Sequence, residues 1–149
     1  MSDLKLRLQS DMKSAMKAGE KDRLGVIRLM LAAIKQREID ERIELNESEL
    51  VTVLDRMVKQ RRESIAQFDS AGREDLSAIE RAEIEWIQPY LPTPLSENEI
   101  DALIAEALST VGVSGLAATG PVMALLKPKM QGRVDMAQVS GRVRRALGA

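Results

Sequence analysis

The sequence predicts an all-α protein, with an N-terminal domain of about four helices joined by a proline-rich hinge to a C-terminal tail domain of three helices. Apolar residues recur every three or four positions along most of the chain, which is the spacing of helices. The chain has one Phe, one Trp and one Tyr, so Leu, Ile, Val, Met and Ala must fill the core, as helix packing permits. No alternating pattern typical of strands extends beyond a few residues.

The first two helices are predicted over residues 2–17 and about 22–43. Gly19 follows the first of them, at the position where glycine commonly ends a helix. The second helix carries one apolar stripe whose members advance by three and four residues. These members are Leu24, Ile27, Leu31 and Ile34. We expect this helix to lie at the centre of the N-terminal domain.

Further helix starts are marked by Asn, Ser or Asp with Glu or Gln three residues later, which is the pattern of a capping box. The pairs are Asn46–Glu49, Ser77–Glu80, Ser96–Glu99 and, more weakly, Asp135–Gln138. They predict helices over about 47–70, 78–90, 97–111 and 136–147. Because proline fits the first turn of a helix, Pro121 predicts a short helix over about 121–130.

The clearest boundary in the chain is PYLPTPLS, residues 89–96, which has three prolines in six positions. A proline inside a helix removes a backbone hydrogen bond, so the preceding helix must stop there and a stiff connection begins. We therefore place the two domains at residues 1–91 and 92–149, with the hinge between them.

Composition excludes several kinds of chemistry. The chain has no Cys and no His, which removes disulfides, thiolate nucleophiles, zinc–thiolate sites and the commonest general base. We therefore predict no catalytic residue, no metal site and no cofactor. The N-terminal MSDLKLRLQSDMK lacks the apolar core of a secretory signal, and no stretch approaches the roughly 20 apolar residues of a membrane span. These features predict a cytoplasmic protein with no membrane partner.

Charge is segregated within the tail domain. Residues 92–126 contain four acidic residues and no basic ones, whereas residues 127–149 contain six basic residues and one acidic. Two interpretations of the basic segment are open. Its Lys and Arg residues complement the macrodipole at helix ends, or they form a surface that contacts the phosphates of a polyanion.

Specific residues of this segment are candidates for binding phosphate. On the last predicted helix Arg142 and Arg145 share a face away from the apolar stripe, which comprises Met136, Val139, Val143 and Leu147. Just upstream, three more basic residues surround a glycine that would let the backbone approach a ligand closely. The candidate nucleic-acid-binding residues are therefore Lys127, Lys129, Gly132, Arg133, Arg142 and Arg145.

The chain resembles the YqeY-like family (GatB/YqeY) in four motifs that occur in order: RLMLAAIKQREID, VKQRRESIAQFDSAGREDL, YLPTPLSENEI and LLKPKMQGRVDMAQVSGRV. The C-terminal half of this family is similar to the tail domain of the GatB subunit of tRNA-dependent amidotransferase, which is implicated in holding tRNA. The resemblance implies an all-helical N-terminal domain and a three-helix tail. The tail motif maps onto Lys127, Lys129, Gly132 and Arg133, with Arg142, Arg144 and Arg145 as a looser match.

The resemblance implies a tRNA-binding accessory module that serves an amidotransferase or another tRNA-handling enzyme. The family label, a carbon–nitrogen ligase with glutamine as amido-N donor, is not expected to be an intrinsic activity, because the catalytic modules of GatB have no counterpart in 149 residues. Neutralising about five phosphates would give a log–log salt slope of roughly −3 to −5. The alternative is a helical protein-interaction adaptor that binds no nucleic acid and uses the apolar and small residues of 111–126.

Overall fold

The computed structural model describes residues 2–112 and 115–148. Within them the chain forms seven α-helices and two short 3₁₀ turns and contains no strand, so the all-α prediction is confirmed. The helices are α1 (Asp3–Ala18), α2 (Lys21–Glu41), α3 (Glu47–Ser70), α4 (Glu74–Ile87), α5 (Glu97–Val111), α6 (Thr119–Met130) and α7 (Met136–Ala146). The 3₁₀ turns are Gln88–Tyr90 and Leu116–Ala118.

The chain clusters into two compact units, which we call the N-terminal unit (Met1–Leu91) and the C-terminal unit (Pro92–Ala149). Helices α1 to α4 belong to the first unit, and α5 to α7 belong to the second. The hinge role of the proline-rich segment stays a prediction.

The core of the N-terminal unit is formed by apolar faces of α1 to α4. Helix α2 contacts each of the other three helices, as its apolar stripe predicted, and α3 packs along α4. The largest fully buried side chains are Leu8, Ile27, Met30, Ile34, Leu45, Leu50, Leu54, Val58 and Ile87. These residues are aliphatic or Met, in agreement with the scarcity of aromatic residues.

Two of the predicted capping boxes are confirmed. At the start of α3, Asn46 Oδ1 accepts a hydrogen bond from the Glu49 N–H at 2.9 Å, and Glu49 Oε1 accepts one from the Asn46 N–H at 3.3 Å. At the start of α5, Ser96 and Glu99 make the same reciprocal pair, at 3.2 and 3.4 Å. Each box gives partners to backbone N–H groups that have none within the helix.

The predicted start at Ser77 is wrong. Helix α4 begins at Glu74, and its N-cap residue, Arg73, makes no side-chain capping bond. Ser77 instead lies buried inside the helix, where its Oγ donates to the Glu74 carbonyl at 3.2 Å and accepts from Arg81 Nη1 at 2.9 Å. The pattern of Ser followed by Glu three residues later does not separate these two situations, because the same residues also lie one turn apart within a helix.

The C-terminal unit has its own small core, which is formed by α5, α6 and α7. Its most buried members are Val122, Leu126, Met130, Val139 and Val143. The apolar stripe predicted on the last helix is confirmed: three of its members are buried, and Met136 packs against them. None of the helices within the described residues is long and apolar enough to cross a membrane alone, although Glu97–Val111 and Leu116–Met130 pass that test as a bent pair, by length and composition only.

Candidate nucleic-acid interface

The turn between α6 and α7 explains why a glycine stands at position 132. Gln131 has φ −59° and ψ 130°, Gly132 has φ 78°, and the Arg133 N–H donates to the Met130 carbonyl at 2.9 Å. This is the geometry of a type II turn, which requires a positive φ at its third residue and therefore favours glycine. Gly132 is buried. The role that the structure shows for Gly132 is therefore to allow the positive φ of this turn.

Arg133 ties this turn to the beginning of the C-terminal unit. Its carbonyl accepts a hydrogen bond from the Leu95 N–H at 2.9 Å, and its Nε donates to the Thr93 carbonyl at 2.8 Å. Its Nη2 lies 3.9 Å from Glu99 Oε2. The Nε–H of its guanidinium therefore already has an acceptor, and the backbone and side chain of Arg133 together hold Thr93 and Leu95 against the turn.

Arg142 projects from the middle of α7 toward two carboxylates of α5. Its Nη2 lies 2.6 Å from Glu97 Oε2, and its Nη1 lies 3.5 Å from Asp101 Oδ1. Glu97 and Asp101 are four residues apart and hence neighbours on one face of the helix. The arginine is thus shared between two acidic side chains, and the local charge of the three groups together is negative.

Lys129 is also paired, although more loosely. Its Nζ lies 3.8 Å from Glu106 Oε1, and both side chains are more than half exposed. Three candidate cations therefore meet four acidic residues of one helix. We call this set the α5 carboxylates: Glu97, Glu99, Asp101 and Glu106. Sequence reasoning did not predict these contacts, although the signal was present in the opposite charges of residues 92–126 and 127–149.

Three basic side chains differ from those described above. Within residues 2–112 and 115–148, no carboxylate pairs with Lys127, Arg144 or Arg145 within 4.0 Å, and all three residues are exposed. We call them the unpaired cations. Lys127 lies in the last turn of α6, and the two arginines lie in the last turn of α7. Helix C-termini carry partial negative charge, so these positions suit Lys and Arg even without a ligand.

The chemistry open to the unpaired cations is electrostatic contact. Exposed Lys and Arg side chains without a carboxylate partner can donate hydrogen bonds to phosphate oxygens. In the part of the chain that the structure describes, no three acidic, His or Cys side chains converge in a way that could hold a metal ion. The three unpaired cations therefore have donors that are available to an anionic group.

Comparison with protein families agrees with the motifs in the sequence. The family model described as Yqey-like protein matches residues 5–147, which includes nearly all of both units. The chain belongs to the YqeY-like family. The family resemblance inferred from the four motifs is therefore confirmed.

Three relatives of this YqeY-like chain are fungal proteins named "Altered inheritance of mitochondria protein 41, mitochondrial". The protein of Pyrenophora tritici-repentis is 33% identical over 147 residues, which cover 96% of this chain and 80% of the relative. That of Eremothecium gossypii is 38% identical over 118 residues, 74% of this chain and 64% of the relative. That of Vanderwaltozyma polyspora is 36% identical over 107 residues, which cover 70% of this chain and 58% of the relative. The chain thus spans less than two thirds of the last two proteins.

These relatives contradict the predicted cytoplasmic location, because all three are named as mitochondrial proteins. The prediction rested on the lack of a secretory signal and of an apolar span. Those two features identify secreted and membrane-spanning proteins. They do not separate cytoplasmic from mitochondrial proteins, whose targeting segments are amphipathic and not continuously apolar.

Proposed function

We propose that the C-terminal unit binds tRNA and that the protein acts as an accessory module for an enzyme that handles tRNA. The observation that carries this proposal is the set of unpaired cations, three exposed basic side chains without carboxylate partners within the described residues of one small unit. The similarity of the family's C-terminal half to the tail domain of the amidotransferase subunit GatB favours tRNA over other polyanions. An amidotransferase is one enzyme that such a module could serve.

In this proposal the unpaired cations contact backbone phosphates. Such contacts orient a nucleic acid and contribute affinity, but they read little sequence. The carbon–nitrogen ligase label then describes the enzyme that the module serves, and this chain contributes binding alone. Three phosphate contacts correspond to a log–log salt slope of about −2.7. That slope is shallower than the −3 to −5 expected for about five phosphates, because the paired Lys129, Arg133 and Arg142 are left out.

The test is filter binding of bulk tRNA to the full chain and to a Lys127→Glu, Arg144→Glu, Arg145→Glu variant. The affinity of the wild type should fall about fortyfold between about 50 and 200 mM salt. The variant replaces three attractive charges with three repulsive ones. Its affinity at the lower salt concentration should therefore fall by at least about a hundredfold. Circular dichroism of both proteins checks that the helices remain.

A matched control separates the proposed surface from net charge. A Lys13→Glu, Lys17→Glu, Lys35→Glu variant has the same change in charge, and its three substitutions lie at exposed positions of the N-terminal unit. The proposal expects this control to bind tRNA with nearly wild-type affinity. Equal losses in the two variants, or no binding by the wild type at low salt, would overturn it.

We propose a protein-interaction adaptor as the second candidate, on the observation of exposed apolar residues in the segment that leads into and through α6. Leu116 is 55% exposed and Leu125 is 41% exposed, and Pro121 between them is exposed as well. Part of the stretch assigned to this alternative, residues 113–114, lies outside the described residues. An adaptor would bind its partner with little salt dependence, and Leu125→Glu would abolish that binding without changing the affinity for tRNA.

A further inference from the structure

Arg142 of α7 is paired with Glu97 and Asp101, at one side of the surface proposed to bind tRNA. We propose that Glu97 and Asp101 compete with phosphate for Arg142, so that Arg142 becomes a further phosphate contact only when these two carboxylates are displaced. This inference rests on the proposed function, because it concerns the same surface. It assigns opposite roles to two sets of side chains in one unit: the unpaired cations attract the polyanion, and Glu97 and Asp101 confine it.

The geometry supports direct competition. Glu97 lies at Arg142 Nη2, at 2.6 Å, and Asp101 lies at Nη1, at 3.5 Å. A phosphate that bound this guanidinium in the usual bidentate way would use these same donor groups. It would also approach two negative charges, which repel it. While both carboxylates remain in place, Arg142 therefore adds little to the binding of nucleic acid.

The position of Arg142 on α7 makes it a natural extension of the proposed surface. Residues three apart on a helix are neighbours on its surface, so Arg142 and the unpaired Arg145 lie side by side. A phosphate backbone that contacts Arg145 would bring its next phosphate toward Arg142. The same step brings it toward Glu97 and Asp101, which therefore mark one edge of the area that a polyanion covers.

The carboxylates can be displaced without disturbing the core. Glu97 is 73% exposed and Asp101 is 71% exposed, whereas Arg142 is 28% exposed. Ion pairs between side chains this accessible to water contribute little to stability, so exchange of one acidic partner for another requires little free energy. Removing the carboxylates should therefore shift Arg142 measurably toward the phosphate-bound state.

The experiment compares tRNA binding by the full chain with that of a Glu97→Gln, Asp101→Asn variant. Both substitutions keep side-chain size and leave the Ser96–Glu99 capping box in place. We expect an affinity about fivefold higher at low salt, given the usual strength of exposed ion pairs. The salt slope should become steeper by about 0.9, because one more phosphate is neutralised. Adding Arg142→Gln to this variant should reverse both changes. Arg142→Gln alone should lower the affinity slightly, because Glu97 and Asp101 lose their counter-charge, and should leave the salt slope unchanged.

A Glu63→Gln, Glu85→Gln variant is the matched control, because it changes net charge equally at exposed positions of the N-terminal unit. An equal gain in this control, or no gain in the Glu97→Gln, Asp101→Asn variant while the wild type binds, would overturn the competition. No binding by any of these proteins would overturn the proposed function itself. Binding that appears only after the two carboxylates are removed would support the competition and contradict the sufficiency of the unpaired cations.

Discussion

Two ion pairs, one in each unit, have similar lengths but different surroundings. In the N-terminal unit, Lys5 Nζ lies 2.8 Å from Glu38 Oε1, and the two side chains are 17% and 15% exposed. In the C-terminal unit, Arg142 Nη2 lies 2.6 Å from Glu97 Oε2, but the glutamate is 73% exposed. The contribution of an ion pair to folding stability therefore depends on its burial and on the other hydrogen bonds of the two side chains. The length of the pair alone does not predict it.

Carboxylates of the N-terminal unit also accept hydrogen bonds from backbone N–H groups outside their own helices. Glu38 Oε2 accepts a hydrogen bond from the Leu45 N–H at 3.0 Å, and Glu47 Oε1 accepts one from the Leu4 N–H at 2.9 Å. A backbone N–H that lost such an acceptor would be costly unless water replaced it. These carboxylates thus belong to the tertiary structure, whereas Glu97 and Asp101 are largely exposed to solvent.

The largest effect that tests this comparison is expected for Glu38→Gln. The substitution removes the charge that faces Lys5 and weakens the acceptor of the Leu45 N–H, so the free energy of unfolding of the N-terminal unit should fall by about 2 kcal/mol. Urea unfolding followed by tryptophan fluorescence measures this, because the sole tryptophan, Trp86, lies in α4 of the same unit.

Acid sensitivity gives a second readout of the same variant. The hydrogen bonds from Lys5 and then from the Leu45 N–H hold the pKa of Glu38 below its ordinary value of 4.5. Its contribution to stability is therefore fully present above pH 4.5 and is lost as the pH falls through the lower folded-state pKa. Glu38→Gln should lack this part of the acid transition. An unfolding free energy equal to that of an exposed control, Glu63→Gln, would contradict the prediction.

The helix starts that the sequence predicted correctly are those whose signal is local. At Asn46 and Ser96 every partner of the capping box lies within four residues, so the pattern and the hydrogen bonds coincide. Ser77 matches the same pattern, yet its hydroxyl is bonded inside the helix to Glu74 and Arg81. Ser77 differs in being buried. Burial depends on the tertiary structure, so a pattern of a few neighbouring residues does not predict it.

The candidate site could be predicted as a set of charges but not as a set of contacts. The opposite charges of the two segments of the tail are visible in the sequence. Which cation meets which carboxylate depends on how α5 lies beside the other two helices of its unit. Lys127 and Arg142 look equivalent in the sequence, although Arg142 alone of these two lies beside carboxylates. The turn role of Gly132 likewise depends on the backbone angles of its neighbour.

Tyr90 provides a test of a smaller effect in the N-terminal unit. It is the chain's sole tyrosine and is 8% exposed, and its hydroxyl donates to Asp11 Oδ2 at 2.5 Å. Burial, followed by the bond to Asp11, raises the pKa of Tyr90 from 10.0 to about 12. Folding therefore favours the neutral phenol. This stabilisation is present below pH 10 and is lost as the pH rises toward 12.

An ultraviolet absorbance titration of the folded protein measures this pKa without interference from other tyrosines. In Asp11→Asn the pKa should fall, because the neighbouring negative charge is gone, but it should stay above 10 because burial is the larger cause. Asp22→Asn, at an exposed position of α2, should leave the titration unchanged. A wild-type pKa near 10 would show that the phenol is hydrated. The Tyr90–Asp11 bond would then not count among the buried polar contacts of the N-terminal unit.

The smallest effect is expected for Glu97→Gln alone. The variant leaves Asp101 beside Arg142, so the stability of the C-terminal unit should change by less than about 0.5 kcal/mol. Residues 92–149 contain no aromatic residue, so hydrogen exchange at the buried Val139 and Val143 is the suitable measurement. If hydrogen exchange showed a loss of stability as large as that expected for Glu38→Gln, Glu97 would be part of the tertiary structure. Its replacement by phosphate would then cost considerable free energy. Unchanged exchange together with tighter tRNA binding would assign the effect of this carboxylate to binding alone.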